Sequence, residues 1–167
     1  MNGPLFDFFT TDHRRLELLL DRATRDSGAF DMEAYAAFRS GLLRHIGMEE
    51  KILIPAAQAK LNHGLLPFAE RIRLDHGALV ALMVPPPSTQ VVGAIRAILA
   101  VHDALEEQEG GVYDVAERLT ASETDLLLRQ LRSAPDVPVL PHKADPFILE
   151  ATRRALQRAG YDFDRYR

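Results

Sequence analysis

His45-Ile46-Gly47-Met48-Glu49-Glu50-Lys51-Ile52-Leu53-Ile54-Pro55 is the stretch that decides how the rest of the chain reads, and it has an echo in His102-Asp103-Ala104-Leu105-Glu106-Glu107. Each string sets a Glu four residues after a His. At 3.6 residues per turn that step rotates by only about 40°, so the two side chains share one face of a helix. His45 is also in phase with Leu42, Met48 and Ile52, which places it on an apolar stripe directed at a core. A carboxylate brought beside it, away from water, carries a large desolvation cost unless a cation is there as well.

Working outward, a second pattern precedes each string. Asp12-His13 is followed by Leu16 and Leu19, and Asp75-His76 by Leu79 and Leu82. The chain therefore repeats one order twice, a lone His on one helix and then His-x-x-x-Glu on the next, and it reads as a duplicated helical hairpin. His13, His45, Glu49, His76, His102 and Glu106 become the candidate metal ligands. Four imidazoles and two carboxylates facing inward hold a pair of iron ions if the carboxylates bridge. Nitrogen and oxygen donors without sulfur suit iron or manganese and leave zinc open.

Apolar residues recur three and four apart over long segments, so the expected fold is all-helical. The spacing predicts a first helix over about Leu5–Asp26, closed by Ser27-Gly28, and a second from an N-capping Asp31 to about Lys60, kinked or cut short at Pro55. A third opens near Pro67 and stops at Pro85-Pro86-Pro87. A fourth opens near Ser88 and is broken at Gly110-Gly111 before it resumes toward Leu119. Ser122-Glu123-Thr124-Asp125 resembles a capping box ahead of a short fifth helix, and Asp145-Pro146 opens a last one ending at Gly160. The expected architecture is an up-down four-helix bundle over residues 1–132, with a loop and helix over 133–167 packed on the bundle or on a partner subunit, leaving room for a homodimer.

A chain of 167 residues buries enough surface to fold without a disulfide or structural metal, so a metal here is expected to be functional. Cys is absent, which excludes disulfides, thiolate metal sites and cysteine nucleophiles. With 20 Lys and Arg against 24 Asp and Glu, scattered in mixed-sign segments, no nucleic-acid footprint is expected. No apolar run has membrane or signal length, and a cytoplasmic protein is expected. Phosphate loops and nucleophile elbows are lacking too.

The arrangement resembles the hemerythrin family, in particular its HHE cation-binding branch, over roughly residues 5 to 120. The resemblance rests on Asp12-His13-Arg14-Arg15-Leu16, His45 to Pro55, Asp75-His76 and His102 to Glu107. It implies a non-haem di-iron centre, with His13, His45, His76 and His102 as terminal ligands and Glu49 and Glu106 as bridges, that binds or senses oxygen, iron or nitric oxide. Oxygen carriers of the family place His-x-x-x-His on the third helix. Here Ile72 and Val80 flank His76 at that spacing, which looks closer to the iron-handling and nitric-oxide-stress relatives. The carriers also separate the last His and carboxylate by five residues, which would select Glu107. Five residues rotate by about 140° on a regular helix, so Glu106 is expected instead. A binding protein is favoured over an enzyme; the alternatives are a di-iron enzyme or iron donor in peroxide, nitric-oxide or iron-sulfur repair chemistry, and a zinc-holding or metal-free structural bundle. Asp12 and Asp75 are expected to be exposed, with an imidazole-orienting role as the alternative, Glu107 to be solvated and Tyr113, just past the double glycine, to pack at the rim, with a hydrogen bond to a bound ligand as the alternative.

Overall fold

The structure is a computed structural model and describes residues 3–25, 29–62 and 64–167. Among the described residues it is all-helical, without a strand. In chain order the helices are α1 (Pro4–Ala23), α2 (Met32–Met48), α3 (Ile54–Ala59), α4 (Ala69–Leu82), α5 (Thr89–Glu107), α6 (Val112–Leu119), α7 (Thr124–Arg132) and α8 (Pro146–Arg158). A π turn over Glu49–Leu53 joins α2 to α3, and short 3₁₀ turns occupy Ala121–Glu123 and Phe163–Tyr166. Among the described residues no helix is long and apolar enough to cross a membrane.

Two compact units are formed, one from Met1–Ala69 with Leu105–Val139 and the other from Glu70–Ala104 with Leu140–Arg167. In the first, α1 packs along α2 and against α6 and α7, and α3 lies on α6. Its interior is filled by Leu5, Phe9, Leu16, Leu20, Tyr35, Phe38, Leu42, Met48 and Leu53, which follow the helical spacing of the sequence. α1 opens on Pro4, whose missing N–H costs nothing in a first turn. The next two amides donate to Glu117 Oε2 of α6, Leu5 N at 2.7 Å and Phe6 N at 3.0 Å. α6 thus supplies the cap that α1 lacks from its own Gly3. Asp31 caps α2 as expected, accepting from Ala34 N.

The interruption near Pro55 takes the form of the π turn. Ile54 N donates to Glu49 O, five residues back, and the widened turn relieves the clash of the following proline ring with the preceding turn. The helix therefore continues past Pro55 to Ala59.

In the second unit, the turn after α4 is tied to the chain before α8 by Lys143 N donating to Val84 O, and α8 to α4 by Thr152 Oγ1 donating to Ala81 O. Gln90 Nε2 of α5 donates to Phe163 O. The 3₁₀ turn at Phe163–Tyr166 has no periodic signal in the sequence; buried Phe163 and an Asp162 side chain accepting from Asp164 N hold it.

Several local expectations are corrected. α1 ends at Ala23, three residues early, where Thr24 Oγ1 donates back to Leu20 O; the proposed stop at Ser27-Gly28 lies outside the described residues. α4 begins at Ala69 because Phe68 takes a positive φ of 59°, which leaves Pro67 in the turn and Phe68 exposed. Ser122 does not cap α7: Ala121–Glu123 forms a 3₁₀ turn, and no side-chain cap bond is made at Glu123.

Candidate metal centre

α1, α2 and the last turn of α5 bring four predicted ligands together inside the first unit. His13 and His45 are 4% and 2% exposed, Glu49 and Glu106 fully buried, and one donor atom from each lies within 4.8 Å of all the others. Glu49 closes α2 with its amide donating to His45 O, so the His-x-x-x-Glu spacing keeps its α geometry and the π turn starts only at the second donor. His45 Nε2 lies 3.4 Å from Glu49 Oε1, His13 Nε2 lies 3.4 Å from Glu106 Oε2, and the two Nε2 atoms are 3.0 Å apart.

Each imidazole is pinned from behind. His13 Nδ1 donates to Glu107 Oε1 at 2.7 Å and His45 Nδ1 donates to Asp12 Oδ2 at 2.9 Å. A carboxylate on Nδ1 fixes the tautomer and turns Nε2 inward, as at histidines that bind metal. The two carboxylates are themselves held: Arg14 Nη2 donates to Glu107 Oε2 at 2.6 Å and Arg15 Nε to Asp12 Oδ1 at 2.7 Å. The hydrogen bond from His13 leads in holding Glu107 below the usual carboxyl range, aided by Arg14 against partial burial. Burial pushes Asp12 up, but His45 and Arg15 outweigh it and bring the carboxyl down to about 2.

Positive charge is favoured at the centre. Burial opposes an imidazolium at His45, yet Glu49 and Asp12 overcome it and lift the group to about 9. Two imidazole nitrogens facing each other at 3.0 Å repel through their lone pairs unless a proton or a cation separates them. Two neutral nitrogen donors and two carboxyl oxygens in a dry pocket, each imidazole oriented, are a donor set that fits a divalent or trivalent ion of the iron, manganese or zinc type.

Tyr113 completes this cluster. Its ring, 1% exposed, stacks on Phe9 at 4.9 Å and meets Phe6 edge-on, and its hydroxyl reaches all four donors. Burial first, and then the carboxyls of Glu106 and Glu49, push the phenol well above its ordinary value. The expected rim position is therefore corrected. Sequence reasoning had a signal available, since Tyr113 follows Glu106 by seven residues across Gly110-Gly111, and a chain reversal there returns it to the same end of α5.

In the second unit, His76 and His102 are both buried with ring centroids 4.9 Å apart. Asp75 is fully buried, not exposed as expected, with Oδ2 3.7 Å from His102 Nδ1. Arg71 clamps it through Nη2 to Oδ1 at 2.9 Å and Nε to Oδ2 at 3.2 Å. The same guanidinium donates to Ala159 O and Tyr161 Oη beyond α8, so residues after the last long helix reach the neighbourhood of His102. Asp12 and Asp75 thus play parallel parts. In both repeats the Asp faces the His of the following His-x-x-x-Glu string, not the His beside it in sequence. Glu107, expected in solvent, instead anchors His13, and Glu106 is the residue that joins the cluster.

No known family profile matches the chain, and no solved structure matches it. Two curated relatives from Pseudomonas putida, both described as probable chromosome-partitioning protein ParB, are 35% identical to it over 95 residues, 57% of this chain. The chain spans 29% of the length of those relatives, a share too small to carry their activity over.

Proposed function

We propose that the chain is a hemerythrin-like metal-binding protein in which His13, His45, Glu49 and Glu106 hold iron, and that His76 and His102 complete a carboxylate-bridged di-iron centre in a four-helix bundle. Its role on this reading is to bind or sense oxygen, iron or nitric oxide in the cytoplasm. The observation that carries the reading is the pair of imidazoles in the first unit, each held at Nδ1 by its own carboxylate with Nε2 turned toward two buried carboxyl groups. A structural core histidine needs one partner; two oriented ones converging on buried acid are explained by a cation.

Bound iron would supply an electron-rich centre able to bind a diatomic gas or exchange an electron. The rest is the work of the chain. Phe9, buried and edge-on to His45 at 5.4 Å, helps keep water out. Asp12 and Glu107 hold the Nδ1 protons, so that both Nε2 atoms remain donors. A second reading, iron handling or nitric-oxide chemistry, is favoured by Ile72 and Val80, which stand where oxygen carriers of the resembled family have a further His.

The test is metal content per chain in wild type, His45→Ala and Glu49→Ala, with visible spectra before and after anaerobic reduction and admission of oxygen. About two irons per wild-type chain, lost from both variants, is the expected result. Unchanged metal content in the variants would sink the assignment, and a spectrum indifferent to oxygen and to nitric oxide would remove the gas-binding role.

A further inference from the structure

We propose that Tyr113 Oη is itself a metal ligand, a fifth donor to the ion held by His13, His45, Glu49 and Glu106. The inference rests on the metal-binding reading above and adds a residue that neither the His-x-x-x-Glu strings nor the family resemblance assigns.

The argument is one of donor spacing. Ligands about 2.1 Å from one ion stand about 3 Å from each neighbour and about 4.2 Å from the donor opposite when the angles are near 90°. The four residues follow that spacing: Glu106 to His13 at 3.4 Å, His13 to His45 at 3.0 Å, His45 to Glu49 at 3.4 Å, with one donor atom from each within 4.8 Å of all the others. Tyr113 Oη stands 2.5 Å from Glu49 Oε1, 2.9 Å from Glu106 Oε2, 3.0 Å from His13 Nε2 and 3.3 Å from His45 Nε2. It is a near neighbour of all four, as a fifth donor to the same ion would be. A hydroxyl has one proton to give, so its own donated hydrogen bond accounts for only one of these four contacts, two of which are to nitrogens at 3.0 and 3.3 Å.

The backbone is shaped to deliver it. Gly110 takes φ +71°, open to glycine at no steric cost. A Cβ on Gly111 would come within 2.6 to 2.8 Å of the carbonyl oxygens of Leu105, Glu106 and Gln108. Only glycines allow the chain to fold back this tightly on the end of α5, and Gly110 N donating to Asp114 Oδ2 fastens the reversal. The double glycine, which the sequence alone suggests is a point of distortion, is what carries Tyr113 into the cluster.

On ligation the phenol O–H bond breaks, an oxygen–metal bond forms and the proton leaves to solvent; no electron moves. A hard, anionic oxygen favours iron(III) over iron(II), so the site is biased toward the oxidised state.

The test compares wild type with Tyr113→Phe, both stripped of metal and then loaded with iron under air or with zinc. Iron-loaded wild type should show a visible phenolate-to-iron(III) charge-transfer band with tyrosinate vibrations in resonance Raman, and zinc-loaded wild type the near-ultraviolet difference spectrum of an ionised phenol. Tyr113→Phe should lack both, bind metal more weakly by no less than the roughly 10- to 100-fold that supporting residues cost, and have a higher iron reduction potential. Metal-loaded wild type without a tyrosinate signature, or a signature that survives in Tyr113→Phe, overturns the ligand while leaving the four-residue site standing. Wild type that holds neither iron nor zinc overturns both. The zinc spectrum of wild type decides the matter should the variant not fold.

Discussion

At the scale of single residues, the first unit separates donors from the groups that aim them. Glu106 and Glu107 are adjacent in sequence, yet one carboxyl enters the cluster and the other stands behind His13. Asp12→Asn and Glu107→Gln should therefore keep the helices and weaken metal binding about 10- to 100-fold, because an amide can present a carbonyl to Nδ1–H but carries no charge to raise the basicity of the imidazole. Metal titration followed by competition with a chelator reads this directly, and an unchanged affinity in both variants would remove their orienting role. The donors themselves were legible in the sequence, because a four-residue step places two side chains on one face whatever surrounds the helix. The aiming residues were much less so. Asp12 lies one position from His13 and serves His45, 33 residues away, and no local spacing encodes that pairing. Tyr113 was legible only in part: its place just past the double glycine brought it near the site, but the conformation of those glycines decides that it enters the cluster and does not stay at the rim.

At the scale of elements, α2 shows how local chemistry and a proline are reconciled. The sequence foretold an interruption at Pro55 but not its form, because the pattern of apolar residues is equally compatible with a kink, an end or a widened turn. The π turn contains one residue more than a regular helix would need. Removing exposed Lys51 together with Pro55→Ala should restore a regular helix and a chain that still unfolds cooperatively, whereas removing Lys51 alone should be less stable by about 3 kcal/mol, as expected for a proline returned to a helix interior. Equal stability of the two in urea would show that the π turn is not an accommodation of the proline. The N-terminus of α2 gives a prediction in pH. The Ala34 amide, helped by Arg22, holds Asp31 below its ordinary value of 3.8. A carboxyl depressed in the folded chain contributes stability that is full above the unfolded value and is lost as pH falls through the folded one. Wild type should therefore lose melting temperature relative to Asp31→Asn as pH drops below about 4, while the two run parallel from pH 5 to 7. Parallel curves throughout would show that the cap works without its charge.

At the scale of the whole molecule, the helical class was set by periodicity over long segments, and the 3₁₀ turn at Phe163–Tyr166 escaped because its contacts are made with residues far away in sequence, Gln90 among them. Metal and stability should be linked. Free metal at 100 times its dissociation constant stabilises a chain that binds only when folded by about 2.7 kcal/mol, which for this size is a rise of roughly 5–11 °C in melting temperature, reversed by chelation. His45→Ala should show no such rise. The first unit is also assembled from two stretches, Met1–Ala69 and Leu105–Val139, with His13 and Tyr113 100 residues apart. This has a consequence for the chain as it is made. Both histidines of the cluster leave the ribosome long before Glu106 and Tyr113, at a synthesis rate of about 5–20 residues per second. A nascent chain offers both imidazoles and Glu49 but not Glu106, so secure metal capture waits until the intervening segment and the end of α5 have emerged.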